Sequence, residues 1–121
     1  MDDPDPRAGA RGPAATEPTI VLTTLPTMEA GEGLVRALVE EGLIACGNLL
    51  PGVRSIYRWE GNVVAEAEVL AILKTVTTSV TPVFDRISQL HPYSVPELVE
   101  LRIEHVAASY RAWVLSASEG G

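Results

Sequence analysis

A chain of 121 residues, 46% of them hydrophobic and with a mean hydropathy of +0.17, buries one core, which excludes both a multidomain array and an unfolded acidic polymer. Nine Lys and Arg against 16 Asp and Glu leave a net charge of −7, the wrong sign for a protein that displaces counterions from nucleic acid. No apolar run approaches the roughly 20 residues of a membrane-spanning helix, and Cys46 has no second cysteine, so a soluble, cytoplasmic protein with no nucleic-acid or membrane partner is expected.

Residues 1–18 carry four of the nine prolines and no Val, Ile, Leu or aromatic residue. Such a segment cannot offset its ordering entropy by burial, and it has no charged-then-apolar leader pattern; it reads as a flexible, acidic, Pro/Gly/Ala-rich tail. One domain is expected over 19–118.

Thr19 to Thr24 is a β-branched run stopped by Pro26 and reads as a buried strand. Ala30, Leu34, Ala37 and Leu38 then recur at helical spacing, with Thr27 as N-cap and Gly42 as the left-handed residue that ends the helix. Gly31 and Gly33 within it each cost about 1 kcal/mol relative to alanine. A strand from Leu43 to Leu50 is bent or bulged by Pro51-Gly52 and resumes from Val53 to Trp59. Its alternation puts Val53, Ser55, Tyr57 and Trp59 on one face and Arg54, Ile56 and Arg58 on the other.

Glu60-Gly61-Asn62 is a turn, and a return strand runs from Val63 to Val76. Val80, Val83, Phe84, Ile87 and Leu90 form a second helix with Pro82 in its first turn, ended by His91-Pro92. A fourth strand is expected from Glu97 to Glu104 and a terminal helix from Ala108 to Ser118. The order is βαββαβ plus a helix. Two right-handed crossovers joined by a hairpin make an α+β, ferredoxin-like sandwich: an antiparallel four-stranded sheet with two helices on one face.

The hairpin arms far exceed the usual strand of about five or six residues, so their outer halves overhang the sheet. Exposed edges bearing Ile56, Tyr57, Trp59 and Val64 invite aggregation unless another copy caps them, which predicts a closed homo-oligomer. The competing arrangement is a bent hairpin folded back on its own sheet.

Several separate stretches agree with one family. Ile20-Val-Leu-Thr-Thr-Leu-Pro26, Leu43-Ile-Ala-Cys-Gly-Asn-Leu-Leu-Pro-Gly-Val53, Ser55-Ile-Tyr-Arg-Trp-Glu-Gly61, Leu73-Lys-Thr75, Leu90-His-Pro-Tyr-Ser-Val-Pro-Glu97 and Tyr110-x-x-Trp113 resemble the CutA divalent-cation tolerance family. The resemblance implies a ferredoxin-like subunit in a tight, PII-like homotrimer with hairpins paired between subunits. It also implies a non-enzymatic part in tolerance of divalent metal ions, copper above all, with some members binding the ion.

Cys46 is then a candidate soft ligand, since the family commonly has cysteine there, against the ordinary fate of a small buried thiol. His91 offers an imidazole nitrogen, against a helix-end residue bonded to the last carbonyls. Glu97 would add a carboxylate, against a solvated surface charge. Some relatives carry a second histidine and a first-strand cysteine where Leu90 and Thr23 stand here. Tyr57, Arg58, Trp59 and Tyr93 read as anchors of a subunit interface, or as the lining of an inter-subunit cleft where Arg58 or Lys74 holds an anionic ligand. The second version would make the protein a PII-like small-ligand sensor or signalling scaffold. No phosphate loop, nucleophile elbow or zinc-protease helix is present, so no catalytic residue and no required cofactor are assigned.

Overall fold

The computed structural model describes residues 16–118. Strand β1 (Pro18–Leu25) is followed by helix α1 (Met28–Glu40), the hairpin β2 (Cys46–Trp59) and β3 (Asn62–Val76), helix α2 (Val80–Leu90), strand β4 (Val99–Arg102) and helix α3 (Ala108–Ala117). The strands lie in the order β2-β3-β1-β4, and every neighbouring pair is antiparallel. This is the βαββαβ arrangement expected, with α3 added.

Local chemistry explains most boundaries. The Thr27 hydroxyl accepts from the Ala30 N–H at 3.1 Å and caps α1. At its other end Gly42, with φ of 73°, donates to the Val39 carbonyl while Leu43 donates to that of Leu38, so the last carbonyls are satisfied. Gly31 has a packing reason: a Cβ there would sit 3.0 Å from a Leu49 methyl, so its absence lets α1 approach β2. Helix α2 stops at His91, which is extended as the residue before a proline must be. A 3-10 turn, Thr77–Ser79, precedes α2 and has no counterpart in the sequence pattern.

Three boundaries differ from the sequence reading. Residues 1–15 of the expected tail lie outside those described, but its last two residues belong to the domain. Pro18 is buried opposite Val76, and the Glu17 carbonyl accepts from the Thr77 N–H at 2.8 Å while its carboxylate meets Arg111 at 2.9 Å. Strand β2 begins at Cys46 rather than Leu43. The N–H groups of Leu43 and Ile44 turn back to the Leu38 carbonyl at the end of α1, and only the Ala45 N–H reaches the Lys74 carbonyl before the ladder starts. Strand β4 is four residues long, not eight, since only Val99–Arg102 finds partners on β1.

Val21, Leu25, Ala71 and Leu73 of the sheet meet Leu34 and Leu38 of α1 and Val83 and Ile87 of α2 in the core. Each fully buried Leu, Ile or Val contributes about 1.5–3 kcal/mol relative to exposure. Alternation sends Ile20, Leu22, Leu70, Ile72, Val99 and Leu101 to the opposite face, where all remain half-buried or exposed. Helix α3 covers one end by packing Val114 on Ala45 and Val76.

The hairpin overhang is present. Strand β1 ends with Leu25 opposite Val69, so the arms Val53–Trp59 and Asn62–Glu68 pair only with each other among the described residues. Between Leu50 and Val53 the bulge inserts one extra residue into β2, as Pro51-Gly52 foretold. Ile56 and Val63 are each 69% exposed on this projection, and Trp59 is 50% exposed.

Candidate functional site

The polar groups that converge do so where the overhang leaves the sheet. The loop after α2 crosses the end of β1 there, and His91 anchors it. His91 is only 8% exposed. Its Nε2–H donates to the Thr24 carbonyl at 2.7 Å, and its Nδ1 accepts from the Tyr93 N–H at 3.0 Å. That pattern requires the neutral ring with its proton on Nε2. The Tyr93 ring leans on the imidazole at a centroid distance of 4.9 Å.

From this loop the Tyr93 phenol donates to the buried Glu68 carboxylate at 2.7 Å. Two residues along β3 on the same face, Glu66 accepts from the Tyr57 phenol at 2.8 Å. The two carboxylates therefore each hold one tyrosine. Burial first, then the bond to Glu68, pushes the Tyr93 phenol well above its ordinary range. Tyr57 is raised too, chiefly by its bond to Glu66.

Cys46 lies elsewhere, at the first position of β2 opposite Lys74. It is half-buried, with Sγ 3.7 Å from the Tyr110 hydroxyl of α3. That contact and burial raise the Tyr110 phenol. Lys74 itself donates to Asn48. Glu97 is exposed in the loop between α2 and β4. Arg58 is exposed at the hairpin end and donates to the Gly61 carbonyl at 3.5 Å.

Within one subunit the structure does not bring Cys46, His91 and Glu97 together as a ligand set. Both His91 nitrogens are occupied by backbone, so the ring has no lone pair to offer a metal while the loop is in place. Among the described residues no group of three or more His, Cys, Asp or Glu side chains could hold an ion, so the three donors do not fit a shared site. Tyr57 and Tyr93 do come together through Glu66 and Glu68. Arg58 alternates to the other face of β2. The sequence reading passed over Glu66 and Glu68, although their spacing of two within a strand already placed both carboxylates on one face.

A family model for the CutA1 divalent ion tolerance protein matches residues 19–117. The chain belongs to this family. A Divalent-cation tolerance protein CutA from Thermus thermophilus is 44% identical over 95 residues, covering 78% of this chain and 92% of the relative. Protein CutA, chloroplastic, from Arabidopsis thaliana is 38% identical over 104 residues, 85% of this chain and 57% of that longer relative. The crystal structure of CutA1 from Oryza sativa superposes with a TM-score of 0.83 at 33% identity, covering 87% of this chain and 96% of that one. The family match confirms the resemblance read from the separate sequence stretches, and the structural match confirms the mixed α+β fold. These relatives are named for tolerance or for the family, not for a reaction. No helix among the described residues is long and apolar enough to cross a membrane.

Proposed function

We propose that the protein is a non-enzymatic homotrimer of PII-like architecture that acts in tolerance of divalent metal ions, copper among them, and binds such ions weakly. The observation that carries this reading is the family match over residues 19–117 joined to an overhanging hairpin whose edges need a sister chain. Unpaired strand edges and exposed Ile56, Val63 and Trp59 are costly to leave in water, and closed symmetry is the usual remedy. The uncovered sheet face bearing Leu22, Ile72 and Leu101 supports the same assembly.

Weak binding is proposed because Cys46 and Glu97 present single donors, while a net charge of −7 enriches cations at the surface. The single thiol makes a reducing cytoplasm the setting we propose. An anion-sensing role in inter-subunit clefts has less support, since the groups gathered at the hairpin base are two carboxylates and two phenols.

Sedimentation at micromolar concentration, followed by calorimetric titration with Cu(II) and Zn(II), tests the proposal. A trimeric mass with weak cation heats that fall in Cys46→Ala supports it. A stable monomer, or a trimer that takes up neither ion, refutes it.

A further inference from the structure

The overhanging arm of the hairpin has two unlike faces. Register sets Arg54 opposite Ala67, Ile56 opposite Ala65 and Arg58 opposite Val63, so these six side chains share one face, and all six are exposed. The other face carries Ser55 opposite Glu66, Tyr57 opposite Val64 and Trp59 opposite Asn62, with Glu68 beside Val53 at its base.

Charge separates the faces as well. Arg86, Arg102 and Arg111 are each paired with a glutamate, at 2.9, 2.6 and 2.9 Å. Arg54 and Arg58 meet no carboxylate among the described residues, and Arg58 donates only to the Gly61 carbonyl. In a chain of net charge −7, two unpaired guanidinium groups therefore flank Ile56 on one exposed face. On the opposite face Tyr57 is 38% exposed and Trp59 50%. Glu66 beside them is exposed and gives one oxygen to the Tyr57 phenol, which leaves the second oxygen without a partner among the described residues. Aromatic rings next to a free carboxylate oxygen are a seat for a guanidinium group.

We propose that the partner of the Arg54–Arg58 face is a second copy of this chain, the two guanidinium groups lying on the Tyr57, Trp59 and Glu66 face of the next hairpin. The inference rests on the homotrimer of the proposed function and names the surfaces that meet in it. Each copy carries one face of each kind, so a head-to-tail contact uses both and closes into a ring. Two acidic chains repel over most of their surface, and the cationic face is where a like chain can approach. Ile56 and Val63, each 69% exposed, leave water in the same contact.

Three variants of the full chain test it: Arg54→Glu with Arg58→Glu, Glu66→Lys, and all three changes together. Sedimentation velocity over a dilution series, in a fixed urea concentration below unfolding, reads the concentration at which the trimer half-dissociates. The arginine reversals should raise it about tenfold or more, because like charges then meet across the contact. Glu66→Lys makes the chain less acidic, so general repulsion alone would tighten association; a rise of similar size is expected instead. The combined variant restores opposite charges across the contact and should return the midpoint toward the wild-type value. The arginines and Glu66 stand on opposite faces of their own hairpin, so a sister chain has to carry that rescue. Glu66→Gln keeps an acceptor for the Tyr57 phenol and should weaken assembly less than lysine does. A wild-type trimer that Glu66→Lys leaves unchanged or tightens, or a combined variant without rescue, overturns this proposal while the trimer stands. A wild-type monomer overturns both.

Discussion

Replacing His91 with alanine separates a loop anchor from a metal ligand. The substitution removes the bond to the Thr24 carbonyl and the bond from the Tyr93 N–H, at 2.7 and 3.0 Å. Each orphaned buried partner costs about 1–3 kcal/mol, and loss of the ring contact with Tyr93 adds about 0.5–1.5 kcal/mol. Water entering the vacated space favours the lower half of that range, so a loss of about 3 kcal/mol is expected, large for one substitution. His91→Gln retains a donor and an acceptor and should lose about half as much. Urea unfolding at one fixed protein concentration measures both, because assembly makes the midpoint depend on concentration. Copper calorimetry on the same samples should show unchanged affinity. An unchanged unfolding midpoint together with lost copper binding would refute the anchoring role and restore His91 as a ligand.

Trp59→Ala should leave the fold of a subunit intact, because the side chain is 50% exposed there, but should weaken the proposed trimer by about 2–4 kcal/mol per contact; light scattering that finds an intact trimer with unchanged melting contradicts this. Gly47→Ala places a Cβ 2.8 Å from a Val35 methyl and 2.9 Å from a Leu73 methyl, and such overpacking should cost about 1–3 kcal/mol in thermal or urea unfolding. Tyr93 provides a pH test. Its phenol is raised in the folded state, so above pH 10 the unfolded chain loses that proton first and stability falls as pH rises. Tyr93→Phe should remove this part of the alkaline loss, and tyrosinate absorbance of the folded wild type should lose its last-titrating phenol in this variant, the Tyr57 and Tyr110 phenols being raised as well.

Much of the fold follows from patterns only a few residues long. The β-branched run of β1, the Thr27 cap, the Gly42 stop and the Pro92 break act on their immediate neighbours, so each could be located without knowing what packs against it. Arm length alone indicated that the hairpin must overhang. The short Val99–Arg102 strand was not legible in this way, because its extent depends on how much of β1 lies beside it. Nor was the place of Glu17 and Pro18 in the domain, since their partners Thr77, Val76 and Arg111 are remote in sequence.

The side-chain chemistry divides along the same line. Composition identified His91, Tyr93, Cys46 and Tyr57 as residues able to bind or anchor, and alternation separated Tyr57 from Arg58. Only tertiary structure brought Thr24 to His91 across 67 positions, Glu68 to Tyr93 across 25 and Tyr110 to Cys46 across 64. A residue's type states which bonds it can make, whereas strand register and the route of a loop decide which partner reaches it first. For His91 those partners are backbone groups, and they leave no nitrogen for an ion.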